Sequence, residues 1–231
     1  MEFTSEIKVE LIQSVGSDAM VAAAARVSTG NDLMHFEEVE DAGLIKYLMK
    51  ARHGSPFEHG SMTFRVEAPI FVFREWHRHR MASYNEVSGR YKKMEPKFYI
   101  YPEDRPLKQV GSGAHPKLVE PGGPLLNVVN ASLVSSAKKA WKEYEWLLEM
   151  EAATEVARAV LPFNLYSSMY ATVNPRALMN FLALRIDHFD NTFPTKPLWE
   201  IQNAAEQIEQ MFREQFPLTW INWHMNGRVA P

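Results

Sequence analysis

Between Met62 and Lys93 the chain passes from a segment built to be half buried to one that no core can hold. Met62, Phe64, Val66 and Ala68 alternate with Ser61, Thr63, Arg65 and Glu67, the two-residue period of a strand with one wet face. Pro69 stops the ladder. Because proline is tolerated in the first turn of a helix, a short helix is expected from Ile70 to about His79, with the pairs Arg74/Arg78 and Glu75/His79 one turn apart. The stretch Trp76 to Lys93 then mixes Arg78, Arg80, Arg90, His77 and His79 with Asn85, Glu86, two serines and three aromatic residues. Whatever the fold, it has to present that mixture rather than bury it.

An arginine and histidine run of this kind is first read as a solvated face. Asn85, Glu86, Ser88 and Gly89 weigh against that reading, because donors, acceptors and a flexible turn within one short loop suit phosphate and heterocycle recognition. Net charge is −3. A general nucleic-acid binder carries a basic balance, so a local positive site on a slightly acidic protein favours a small anionic ligand, with no nucleic acid and no membrane as partner. The arginine-rich stretch also leaves open a non-catalytic nucleotide- or RNA-binding module.

The 231 residues hold no Gly/Ser or charge-run linker, so one domain is expected over 1–231, and 46% hydrophobic residues suffice for a core. No apolar run approaches the roughly 20 residues that span a bilayer, and Met1 to Thr4 lack the order of a signal peptide. A cytoplasmic protein is expected, in the host cytoplasm if the source is viral. There is no cysteine, which removes disulfides, thiolate nucleophiles and cysteine-ligated metals together. The spacings His77-x-His79 and Asp187-His188 are not those of a zinc helix, and the nearby arginines repel a cation, so no metal is expected. Neither G-x-G-x-x-G nor a P-loop occurs, so a bound nucleotide has to be held by side chains.

Along the chain, Ile7 to Ile12 reads as a strand, and Ser17-Asp18 can cap a helix from about Ala19 to Val27 that Ser28-Thr29-Gly30 ends. Leu44, Ile45, Leu48 and Met49 mark a second helix, followed by a turn at Gly54 and Pro56. Residues 95–128, with six prolines, read as a long surface loop holding one strand near Phe98-Tyr99-Ile100. Asn130 or Ser132 can cap a long helix with the stripe Leu133, Ala137, Trp141, Tyr144 and Leu148. Val156 to Val160 add a helical turn. Asn174-Pro175 is a strong helix start, after which Arg176 and Asn180 share one face and Leu178, Phe181 and Leu182 the buried side, as far as Arg185. A last helix carries Ile201, Ala205, Ile208 and Phe212.

Arg78-His79-Arg80-Met81-Ala82-Ser83-Tyr84-Asn85-Glu86-Val87-Ser88-Gly89-Arg90-Tyr91 fills every fixed position of R-H-R-x-x-S-x-N-E-x-S-x-R-Y and so resembles the flavin-dependent thymidylate synthases. The resemblance extends to Ala25 to Ser28, His53 to His59, Glu67 to Val72, Glu155 to Arg158, Leu161 to Tyr166 and Val173 to Arg185; it is weakest in 95–128. It implies an α+β fold, a central mixed or antiparallel sheet flanked by helices, and a homotetramer whose active sites are shared between subunits. It also implies methylation of dUMP to dTMP with 5,10-methylenetetrahydrofolate as carbon donor, FAD as redox carrier and NADPH as reductant.

Residue by residue, the resemblance makes Arg185 the catalytic group that activates the uracil ring. FAD would meet Ser55, Arg78, His79, Arg80, Glu86, Asn174, Pro175, Arg176 and Asn180. The substrate would meet Glu75, Trp76, His77, Arg78, Glu86, Val87, Ser88, Gly89, Arg90, Arg158 and Arg185. Position 75 departs from the family, which usually has glutamine there near the dUMP phosphate. A carboxylate beside a phosphate dianion is costly unless Arg74 or Arg78 neutralises it.

Overall fold

The computed structural model describes residues 1–30, 38–111 and 117–231. In chain order the elements are β1 (Glu2–Thr4), β2 (Lys8–Val15), α1 (Asp18–Arg26), α2 (Glu38–Lys50), β3 (Ser61–Pro69), α3 (Ile70–Trp76), β4 (Ala82–Glu86), β5 (Lys97–Tyr99), β6 (Pro106–Val110), β7 (Lys117–Pro121), α4 (Gly123–Glu149), α5 (Thr154–Ala157), β8 (Tyr166–Val173), α6 (Pro175–Arg185), α7 (Trp199–Gln215) and α8 (Pro217–Met225). The α+β class expected from the resemblance is the one found. The elements sort into two compact units: Met1–Ile7, Glu67–Glu75 and Glu86–Ser168 make one, and Lys8–Val66, Trp76–Asn85 and Met169–Pro231 the other.

The second unit carries most of a four-stranded sheet in the order β2-β3-β8-β4. The alternation predicted for β3 holds: Met62, Phe64 and Val66 are completely buried, each stabilising the unit by about 1.5–3 kcal/mol. Thr63 on the other face shares a hydroxyl hydrogen bond of 2.9 Å with Thr172 of β8. Helix α7 buries Ile201, Ala205, Ile208 and Phe212, the stripe expected of it, and packs on α6, α8 and β2. It is not the last helix. Pro217 starts α8, which packs on α2 and α7.

The start of α8 explains a capping expectation that fails. Ser17 occupies the cap position of α1 but makes no side-chain bond there. Asp18 instead turns its carboxylate to α8, accepting hydrogen bonds from the Leu218 N–H at 2.7 Å, the Thr219 N–H at 2.9 Å and the Thr219 hydroxyl at 2.6 Å. The first turn of a helix offers unsatisfied donors and the positive end of its dipole, a better partner for a buried charge than α1 provides. Burial nevertheless pushes the Asp18 carboxyl above its ordinary value.

The first unit is built on α4. Trp141, Tyr144 and Ala137 from its predicted stripe close over Phe98, Met94, Ala157 and Leu165. Strand β1, which the sequence did not announce, pairs parallel to β5, and Lys97 of β5 sits between Glu67 at 2.5 Å and Glu2 at 3.2 Å. The expected long loop at 95–128 is largely structured: it holds β5, the antiparallel pair β6 and β7, and the first turn of α4; residues 112–116 lie outside those described. Its prolines misled because Pro106 and Pro121 face each other at the end of the ladder, and Pro124 sits in a first helical turn, where a missing N–H costs little. Asn130 therefore lies inside α4 and caps nothing; its amide exchanges two 2.9 Å hydrogen bonds with the backbone of Tyr101. Among the described residues no helix is long and apolar enough to cross a membrane.

Replacing Asp18 by alanine is expected to lower stability by about 3 kcal/mol, since three donors at the start of α8 lose a charged acceptor. Urea denaturation measures this, and a midpoint unmoved from wild type would show that the contact contributes nothing.

Candidate active site

The expected helix from Ile70 to His79 is shorter than the pattern allowed. Helix α3 stops at Trp76, where the His79 N–H bonds the Trp76 carbonyl at 2.9 Å and the Tyr84 hydroxyl donates to the His79 carbonyl at 2.6 Å. The pairs Arg74/Arg78 and Glu75/His79 therefore do not form helical strips. A tight turn held by Tyr84 takes the place of the last helical turn.

Helix α6 comes to this turn with its direction already set. Asn174 accepts the Ala177 N–H at 2.8 Å and Pro175 opens the first turn, as the sequence indicates. From that start Phe181 is buried and Arg185 follows one turn later on the same side. Phe181 packs against both Trp76 and His79, each at a ring separation of 4.8 Å. Arg185 donates its Nε–H to His79 Nε2 at 2.9 Å. Burial first, and the Arg185 charge second, lower the His79 pKa to about 4. The imidazole is thus neutral near pH 7, with its proton on Nδ1, and it orients the guanidinium without neutralising it.

Beside His79 lies a cavity of about 120 Å³ lined by Trp76, His79, Arg80, Tyr84, Asn180 and Phe181 among others, Arg185 not being one of them. Burial pushes the Tyr84 phenol up to about 12, so it stays a donor at all working pH values. In the same unit Arg176 is held by Glu58 at 2.6 Å and by the Pro231 carbonyl at 2.6 Å. A Cβ at Gly54 would overlap the Arg176 guanidinium and lie 2.7 Å from the Pro231 carbonyl oxygen, so a side chain there would displace Arg176 or the end of the chain. Ser55, exposed, follows it in a short 3-10 turn.

The first unit contains a second cavity, of about 280 Å³, whose lining includes Glu86, Val87, Gly89, Arg158, Ile70 and Phe163. The turn that carries Val87 and Gly89 is held by the Val87 N–H, which bonds the Ser168 carbonyl at 2.9 Å, and by Ser88 Oγ, which accepts the Arg90 N–H at 3.2 Å. Arg90 is turned to Glu155 at 2.9 Å. A Cβ on Gly89 would lie 3.0 Å from Met94 Sδ and 3.1 Å from Arg158 Cδ, so any side chain there would crowd the cavity.

Of the residues expected at a site, His79, Arg80, Trp76, Asn180 and Arg185 come together in one unit, and Glu86, Val87, Gly89 and Arg158 in the other. Arg78 and His77 are exposed, His77 with its ring edge on Tyr84 at 5.2 Å. Glu75 is half-buried and lines neither cavity, while Arg74 lies over the Phe163 ring. Tyr84, Glu155 and Glu58 fall inside stretches of the resemblance but are given no role by it. Tyr84 stands at an open position of the motif, and two carboxylates distant in sequence carry no local signal that an arginine will meet them.

A chain of this fold, with an arginine and histidine turn facing a proline-started helix, is of the class described as thymidylate synthase complementing protein, whose profile matches residues 10–218. A protein of Tropheryma whipplei called flavin-dependent thymidylate synthase is 45% identical over 232 residues, covering 99% of this chain and 97% of that one. One of Streptomyces coelicolor with the same name is 47% identical over 236 residues, covering 100% and 96%. The crystal structure of the UMP/dUMP methylase PolB from Streptomyces cacaoi, bound with 5-Br dUMP, superposes with a TM-score of 0.95 at 43% identity over the whole of both chains. The chain belongs to the flavin-dependent thymidylate synthase family and is an enzyme.

His79 is expected to remain uncharged down to about pH 4. Its folded pKa lies below the ordinary 6.5, so on acidification the unfolded chain takes up the proton first, and this group lowers stability as pH falls from about 6.5 to about 4. An NMR titration of the His79 ring checks this; a midpoint near 6.5 would mean that the ring is not desolvated.

Proposed function

We propose that this chain methylates dUMP to dTMP with methylenetetrahydrofolate as carbon donor, FAD as redox carrier and NADPH as reductant. The proposed assembly is a cytoplasmic homotetramer of single-domain subunits. The carrying observation is the Arg185 to His79 contact: a full positive charge aimed by an uncharged partner in a desolvated setting. Such a group stabilises negative charge on a pyrimidine carbonyl and N3 as it develops, and it does so without a cysteine, of which the chain has none.

The donor set suits FAD and dUMP. Arg78, Arg80 and Arg176 supply cations, and His79 and Asn180 neutral hydrogen-bonding groups, for a dinucleotide; Ser55, Asn174, Pro175 and Glu86 are assigned to it by resemblance alone. The segment Glu86 to Arg90 and Arg158 supply a turn and a guanidinium for the dUMP phosphate and sugar; Glu75, Trp76 and His77 are assigned to the substrate by resemblance alone. Arg90 would exchange Glu155 for the phosphate. When bound, reduced flavin supplies the hydride that completes the methyl group. The cavity of about 120 Å³ is smaller than the roughly 300 Å³ or more usual for a small-molecule site, which favours a site completed by another subunit.

A second reading, that UMP is also methylated, is favoured by the likeness to PolB, whose structure with 5-Br UMP superposes with a TM-score of 0.93 at 43% identity. Supplying UMP in place of dUMP decides it: a 5-methylated product is expected, and its absence limits the enzyme to dUMP.

Purified protein is expected to be yellow and to form dTMP from dUMP, methylenetetrahydrofolate and NADPH; a colourless, inactive preparation would refute the proposal. Arg185→Ala is expected to lower kcat by about 100-fold or more with an unchanged circular dichroism spectrum. Glu75→Gln is expected to leave the dUMP dissociation constant unchanged, because Glu75 lines neither cavity.

A further inference from the structure

The segment after α6 brings His188 and Asp190 to His224 of α8, and one ligand atom from each lies within 4.8 Å of the others. The sequence drew attention to Asp187 beside His188, but Asp187 pairs with Lys196 at 2.5 Å. Asp190 Oδ2 stands between the two rings, 3.7 Å from His188 Nδ1 and 3.3 Å from His224 Nε2. Neither is a short hydrogen bond: for nitrogen and oxygen, 3.3 Å is at the long end of the range and 3.7 Å lies beyond it. Both separations are also compatible with ligands of one ion. A tetrahedral zinc with bonds of about 2.1 Å has ligand-to-ligand edges of about 3.4 Å.

The surroundings hold the ligands in place, although the Arg228 charge opposes those of Asp190 and Glu209 at His188. His188 lies against the Phe189 ring at 4.5 Å and His224 against Trp220 at 5.2 Å, so both imidazoles are held by aromatic faces before any ion arrives. His188 and His224 lie in the wall of a cleft of about 780 Å³ that also presents Glu206, Glu209 and Glu214. With Asp190 these make four carboxylates against two guanidiniums: Arg213, which lies over Trp220, and Arg228, which is clamped by both oxygens of Glu209 at 2.6 and 2.8 Å. Partial exposure of all three side chains leaves a path for the ion. One bond competes: the Asp190 N–H donates to His188 Nδ1 at 3.1 Å, and ligation through that nitrogen exchanges a neutral hydrogen bond for a coordinate one.

We propose that His188, Asp190 and His224 form a site for a divalent transition metal, zinc or a similar borderline ion, apart from the residues assigned to methylation. Two imidazoles and one carboxylate leave at least one coordination position for water. The proposal does not rest on the methylation reading.

Chelator-treated wild-type protein, titrated with Co²⁺ as a coloured substitute and with Zn²⁺ by calorimetry, is expected to bind one ion per chain. On zinc addition the His188 and His224 ring signals are expected to shift in NMR while the other histidines do not. His224→Ala should weaken zinc binding by about 100-fold or more, beyond what loss of an outer partner costs. Flavin content is expected to stay unchanged. Absence of saturable binding, shifts at other histidines only, or an unaltered affinity in a folded His224→Ala chain each overturn the proposal.

Discussion

The arrangement depends on one buried strand face. Met62, Phe64, Val66 and Ala68 are wholly enclosed, and this fixes β3 in the sheet; Pro69 then forces an exit after which only seven residues of helix follow. The polar stretch begins where that helix is closed by the bond from His79 to Trp76. Because Trp76 is anchored on Phe181, the turn carrying His79 is delivered to α6, and there it meets Arg185. Packing therefore decides where the charge sits.

Crowding several cations into a small volume ordinarily costs energy through mutual repulsion. The second unit lowers that cost in two ways. His79 is kept neutral by desolvation and becomes an acceptor rather than another cation, and Arg176 is given to Glu58. In the first unit Arg90 has Glu155 in the same role. Cationic side chains matched in this way can exchange a carboxylate for an anionic ligand without carrying uncompensated charge in between.

Much of this was written locally in the chain. The two-residue period of β3, the Asn174-Pro175 start of α6, and the stripes of α4 and α7 all rest on interactions between residues a few positions apart, and all were found where they were read. The fourteen-residue motif named the family, and the full-length relatives agree. Where reading failed, a distant partner had intervened. Asp18 left its own helix for α8, Asn130 turned to Tyr101, and prolines taken as signs of a loop ended strands that paired with each other.

The sequence by itself determined which residue types are grouped near which helix start, because those preferences come from backbone sterics and short-range hydrogen bonds. Only the tertiary structure decided that α3 stops before His79, that His79 is neutral, that Arg185 rather than another arginine reaches it, and that His188 and Asp190 meet His224. Each of these depends on burial and on contacts between residues far apart in the chain. Neither is set by nearest neighbours.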